Sequence, residues 1–160
     1  MPKIALELKA HLENLTSLRP AGNDFRWYLK MKCSNCGEAS DHWQYVTSEE
    51  SHEIPNSRGS ANYIQKCKLC SRQSSIDIVK ESISQYDHEK NDQWQPIVVF
   101  ECRGIEPIEF DARIGWAAKG VESSTQFKEI NLSERDWADY DEKAGQEVGV
   151  YELEHRFVRA

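Results

Sequence analysis

Residues 4–13 read IALELKAHLE, and their alternation decides the fold class. Ile4, Leu6, Leu8, Ala10 and Leu12 fall on one side of the chain; Glu7, Lys9, His11 and Glu13 fall on the other. A period of two is the signature of a strand that buries one face. Wound as a helix, the same leucines would scatter around the whole circumference. Working outward, Arg19 to Asp24 is turn chemistry, with Pro20, Gly22 and Asn23. A second strand follows, in which Trp27, Leu29 and Met31 alternate with Tyr28, Lys30 and Lys32 and run into Cys33. Further strands are read at 43–46, 63–66, 76–79, 97–102, 108–110 and 148–158. Residues 47–61 are polar and contain Pro55 and Gly59, so they read as a long mobile loop. Residues 84–93 (SQYDHEKNDQ) read as a hydrophilic connection between two lobes. No long segment shows apolar spacing of 3.6 residues. A short helical turn capped at Ser133 is expected within 131–147. The chain is therefore expected to be all-β and antiparallel, with a β lobe over 1–83 and a second over 84–160, packed as one compact unit.

With 160 residues, 39% hydrophobic and 10% aromatic, the chain has material for a packed core. Its longest purely aliphatic and aromatic run is Ile97 to Phe100, far short of the ~20 residues of a membrane helix. No secretory signal is read at the start, so the expected setting is the cytoplasm. Twenty Lys and Arg against twenty-seven Asp and Glu give −7, which argues against a polyanion-coating protein.

The cysteines carry the chemistry. Cys33-Ser34-Asn35-Cys36-Gly37 and Cys67-Lys68-Leu69-Cys70-Ser71 are two CxxC units, each after a strand; Cys102 is left over. A two-residue gap lets both sulfurs of a pair bind one ion while the backbone turns around it. Two such turns complete the tetrahedron that Zn²⁺ accepts from thiolates at ~2.3 Å. Gly37 suits a tight turn that needs positive φ. Thirty residues separate the pairs, more than the usual ~15–20, and the loop at 47–61 absorbs the excess. A redox dithiol is the competing reading, but such motifs open a helix in a βαβ unit, whereas these join strand to strand. Four thiolates leave no open position on the metal, so the site reads as structural and the protein as no enzyme.

Arg26, Lys30, Lys32, Lys66, Lys68 and Arg72 crowd the cysteines. Charge compensation of the thiolates is the simplest reading. A docking face for an acidic partner, or for single-stranded RNA stacked on Trp27, Tyr28 and Tyr63, is the functional one. The five histidines are scattered, Cys102 reads as a buried small hydrophobe, and Asp139 to Glu142 as a solvated loop with anchored aromatics. No phosphate loop, nucleophile elbow or HExxH is present. There is also an echo along the chain: Leu6 to Ala10 resembles Phe100 to Gly104, and Leu12 to Leu15 resembles Ile105 to Ile108. It suggests a duplicated β unit in which only the first copy kept its cysteines.

The strings IALELKAHLENLTSLRP, FRWYLKMKCSNCGE, RGSANYIQKCKLC, FECRGIEP, GVESSTQF and DWADYDEKA resemble the eukaryotic CXXC-motif-containing zinc-binding protein family from end to end. The resemblance implies a mostly β fold and one zinc per chain, held by Cys33, Cys36, Cys67 and Cys70. It implies no reaction. The function expected is that of a non-enzymatic zinc-binding module with an unidentified protein partner and no nucleic-acid or membrane role. The alternative is a soft-metal or redox-handling protein that exchanges metal with a metallochaperone.

Overall fold

The computed structural model describes residues 2–160 and is built almost wholly of antiparallel strands. In chain order these are Lys3–Glu13 (β1), Leu15–Pro20 (β2), Trp27–Cys33 (β3), Gln44–Val46 (β4), His52–Glu53 (β5), Ser60–Ala61 (β6), Tyr63–Lys66 (β7), Gln73–Val79 (β8), Gln95–Arg103 (β9), Ile105–Asp111 (β10), Trp116–Gly120 (β11), Gln126–Ile130 (β12), Trp137–Asp141 (β13) and Gln146–Arg159 (β14). The one sheet of six runs β13-β14-β1-β9-β8-β7. Two sheets of three, β10-β3-β4 and β12-β11-β2, and the small hairpin β5-β6 complete the fold.

The order is symmetric. Read from either end, the six-stranded sheet places a hairpin, then β1 or β9, at matching positions. β1-β2-β3-β4-β7-β8 corresponds to β9-β10-β11-β12-β13-β14, and only β5-β6 has no counterpart. At the centre Ile4 pairs with Phe100 and Leu6 with Val98, flanking the Ala5–Val99 pair. The pseudo-twofold axis lies near Glu7 and Ile97, where the register shifts, and exchanges Ala10 with Phe100 and Leu12 with Cys102, four places from the correspondence of the sequence echo. The echo's second half is also out of register. The kink that ends β1 is Asn14 (φ 52), and the one that ends β9 is Gly104 (φ 76), so Leu15, not Leu12, is the counterpart of Ile105. The two units also exchange strands: β3 pairs with β10, and β11 with β2. Each lobe is thus finished by strands from both halves of the chain.

Between the sheets lies one core. Phe25, Trp27, Phe100, Phe110 and Trp116 form its aromatic centre, with Trp27 and Trp116 perpendicular at 6.1 Å. Edge-to-face contacts of this kind add to the burial of the rings themselves. Trp27 is accordingly no stacking group for RNA: it is 1% exposed.

Two expectations need correction. The expected helical turn within 131–147 is absent: the Asn131 side chain takes the Ser133 N–H, and 137–141 pair with β14 as a strand. The only helical turns among the described residues are the 3-10 turns Lys80–Ser82 and His88–Lys90. Residues 47–61 hold the β5-β6 hairpin, closed by the bond from Ile54 N–H to the Gly59 carbonyl, and are not a bare loop. The connection 84–93 is pinned by Tyr86, which is fully buried. Its hydroxyl lies 2.7 Å from the carbonyl oxygens of Lys90 and Gln93 and accepts the Ala10 N–H at 3.2 Å.

Tyr86→Phe should therefore destabilise the protein by about 1–3 kcal/mol, the cost of stranding buried polar groups. Urea unfolding measures this; a change below about 0.5 kcal/mol would mean that the hydroxyl is dispensable.

Candidate metal centre

Cys33 is the last residue of β3, and Cys67 directly follows β7, so both CxxC units sit in the turns of β-hairpins. The two turns are built alike. In the first, the Cys33 N–H donates to the Glu38 carbonyl (2.8 Å) and the Gly37 N–H to the Cys33 carbonyl (2.9 Å). In the second, the Cys67 N–H donates to Arg72 (2.8 Å) and the Ser71 N–H to Cys67 (2.9 Å). Each turn needs a left-handed residue after its second cysteine. Gly37 supplies it at φ 80 without cost, and Ser71 at φ 63 with a Cβ to accommodate. Gly104 (φ 76) anchors the first turn to the kink between β9 and β10, its carbonyl accepting the Ser34 N–H at 3.0 Å.

The four sulfurs converge. All lie within 4.8 Å of one another, with Cys33 to Cys70 at 3.7 Å and Cys36 to Cys67 at 3.6 Å. A tetrahedron of thiolates at ~2.3 Å from Zn²⁺ has edges of about 3.8 Å. Cys33 and Cys67 are buried, Cys70 half-buried and Cys36 exposed. The donor set is uniform in type and preorganised by the backbone. The Cys33 sulfur accepts the N–H groups of Cys36 and Asn35, which lower its pKa. The Asn35 side chain, then the Arg72 N–H, hold Cys70 down at about 6. Cys36 accepts the Glu38 N–H, which acts to lower its pKa. Burial and the neighbouring sulfurs outweigh that bond and push the thiol up to about 12. Four sulfurs so close cannot all ionise beside one another, and a cation at the centre removes that conflict. The residues therefore fit a tetrahedral soft-metal ion.

The remaining candidates stay outside. Among the described residues no histidine or carboxylate joins the cysteine cluster. Cys102 is a buried residue of β9, where burial pushes its thiol up to about 12, as expected of an inert structural cysteine. Of the basic residues, Lys30 and Lys32 face Glu109 (3.7 Å) and Glu106 (3.3 Å) on β10, and Arg26 lies over the Tyr45 ring at 4.5 Å. Lys66, Lys68 and Arg72 are exposed around the second turn, whose tip carries Leu69 at 68% exposure. Asn35 and Ser71 escape the sequence reading; the asparagine inside one CxxC and the lack of glycine after the other were the available signals.

The eukaryotic family model "CXXC motif containing zinc binding protein" matches residues 5–158. The chain belongs to this family. A human protein described as "CXXC motif containing zinc binding protein" is 58% identical over 99% of both chains. The crystal structure of C1orf123 superposes with a TM-score of 0.95 at 57% identity and covers 99% of each chain. A hypothetical protein from Plasmodium falciparum has a TM-score of 0.89 at 30% identity, over 99% of this chain and all of that one. The family is described by a metal-binding motif, not by a reaction, in keeping with the closed donor set.

Two substitutions test the turn geometry. Ser71→Gly should stabilise the protein slightly and Gly37→Val should cost about 1 kcal/mol or more, because only the second adds a branched Cβ at positive φ. Thermal unfolding of the metal-loaded protein reads both. Asn35→Ala should weaken metal retention about tenfold in chelator competition, as loss of an outer hydrogen bond to a ligand does; unchanged retention would show that the amide is idle.

Proposed function

We propose that the chain is a non-enzymatic zinc-binding module in which Cys33, Cys36, Cys67 and Cys70 hold one Zn²⁺ as a structural cross-link. The observation that carries this reading is the convergence of four sulfurs from two separate hairpin turns. The human relative described as zinc-binding supports the choice of metal. Bound there, the ion would supply charge neutralisation and a fixed joint between two pieces of backbone. The first turn belongs to the sheet β10-β3-β4 and the second to the six-stranded sheet. The ion would therefore tie one sheet to the other.

The partner we propose is a protein, met in the cytoplasm. Leu69 stands exposed among Lys66, Lys68 and Arg72, which suits a segment that combines an apolar side chain with carboxylates. Exposure of Cys36 favours a second reading, metal exchange with a thiol-bearing carrier, since an incoming thiolate can reach that sulfur.

Elemental analysis after zinc-supplemented expression should give one zinc per chain, and Cys67→Ser should abolish it while Cys102→Ser should not. Hydrogen exchange then separates the two readings. On chelation at constant pH, a structural ion predicts that amides in β3 and β7 lose protection while those in β14 change less. Full protection beside all four cysteines after stripping supports the exchange reading instead. Protons compete for thiolates, so metal release should increase as pH falls.

A further inference from the structure

The pseudo-twofold axis carries each cysteine turn onto a turn of the second unit. The β3-β4 turn falls on the β11-β12 turn, and the β7-β8 turn on the β13-β14 turn. The backbone pattern is the same. The Gly120 N–H donates to the Thr125 carbonyl (2.9 Å) and the Ser124 N–H to the Gly120 carbonyl (3.1 Å), as Cys33 and Gly37 do in the first unit. The Gly145 N–H donates to Asp141 (2.8 Å), as Ser71 does to Cys67. Ser124 (φ 59) and Gly145 (φ 67) hold the left-handed positions of Gly37 and Ser71. Residue by residue, Cys33, Cys36, Cys67 and Cys70 thus correspond to Gly120, Ser123, Asp141 and Ala144. Seventeen residues separate Ser123 from Asp141, which lies within the usual spacing of paired zinc turns. The β5-β6 hairpin is what lengthens the gap in the first unit.

The side chains repeat the pattern of the sulfurs. Cys33 accepts the N–H groups two and three residues on; Asp141 Oδ1 accepts those of Lys143 (3.1 Å) and Ala144 (3.2 Å), also two and three residues on. Cys36 accepts the Glu38 N–H; Ser123 Oγ accepts the Thr125 N–H at 3.1 Å. Across the gap that an ion would fill, Asp141 takes the hydroxyls of Ser123 and, at 3.0 Å, Thr125. Asp141 is fully buried. A Cβ added at Gly120 would point into this same space and collide with the Asp141 carboxylate and Ser123 Oγ. Gly120 does not have a left-handed backbone, so space rather than conformation keeps it glycine.

We propose that Gly120, Ser123, Asp141 and Ala144 form a lapsed copy of the metal centre, in which the hydrogen bonds of Asp141 replace the ion, so that four thiols placed there would create a second tetrahedral Zn²⁺ site. The inference rests on reading the cysteine cluster as a metal centre. In the native chain the carboxylate accepts hydrogen bonds from Ser123, Thr125, Lys143 and Ala144, and the cluster closes the second lobe without metal.

The test is the full chain with Gly120→Cys, Ser123→Cys, Asp141→Cys and Ala144→Cys, loaded with Zn²⁺ or Co²⁺. The expected result is one more equivalent of metal than the wild-type chain takes, with a tetrahedral thiolate spectrum for cobalt. Counted as a gain over wild type, the result is independent of whether the first site fills. A folded quadruple variant with no gain overturns the proposal. Asp141→Ala gives a second, metal-free reading. Amide exchange at Gly120 and Ser124, on the facing hairpin, should accelerate at least tenfold while the Cys33 and Cys67 amides stay unchanged. Acceleration confined to 141–146 would show that the cluster is no cross-link and would equally overturn the proposal.

Discussion

The antiparallel pairing of β1 with β9 is the constraint on which the rest of the fold depends. It puts the two units side by side in opposite directions. Each then lends its second strand to the other: β2 pairs with β11, and β10 with β3. With β14 on one flank and β8 on the other, the pair is buried within a continuous sheet and has no free edge of its own. Because the strands are exchanged, neither half of the sequence encloses its own core. Trp27 from the first half packs on Phe100, Phe110 and Trp116 from the second.

Within this symmetric frame the two lobes solve one mechanical problem by different chemistry. Two hairpin turns that approach each other across a gap must be joined by something. In the first lobe four sulfurs face inward, two of them accessible from outside, and their mutual repulsion calls for a cation. In the second, one buried carboxylate gathers two hydroxyls and two backbone N–H groups. The first lobe thus relies on a cluster of thiols able to take a cation, the second on a single anionic side chain.

Much of this was legible in residue order. The alternation of 4–13 gave β1 and the all-β class, and the two CxxC units named the four residues that the fold brings together. The echo at Leu6 and Phe100 pointed to a repeat but not to its register, because any even offset between two alternating strands keeps the same face inward. Other features had no local signal. β11 begins Trp116-Ala117-Ala118, too short and too uniformly apolar to show a period, and it is a strand because β2 and β12 hold it on both sides. Tyr86 sits in a polar stretch, and only the fold reveals that its hydroxyl serves carbonyls of three other residues. Trp27 was offered as a stacking ring because basic residues surround it, but its alternation with Lys30 and Lys32 puts it with Leu29 and Met31 on the buried face. The substitution of Asp141 for a ligand was hidden because an acidic residue beside Tyr140 and Glu142 looks solvated.

The first and last strands are neighbours: Ile4 lies opposite Arg159, and the Ala160 N–H donates to Lys3 at 2.9 Å. This adjacency sets an order of events at the ribosome. The hairpins β3-β4 and β7-β8, which carry all four cysteines, have their local partners as soon as residue 79 has emerged. β1 must wait for β9 and then β14. At ordinary translation speeds that interval is on the order of ten seconds. During it the apolar face of IALELKAHLE has no sheet to join. The two cysteine hairpins thus have their local strand partners before β1 gains either of its neighbours.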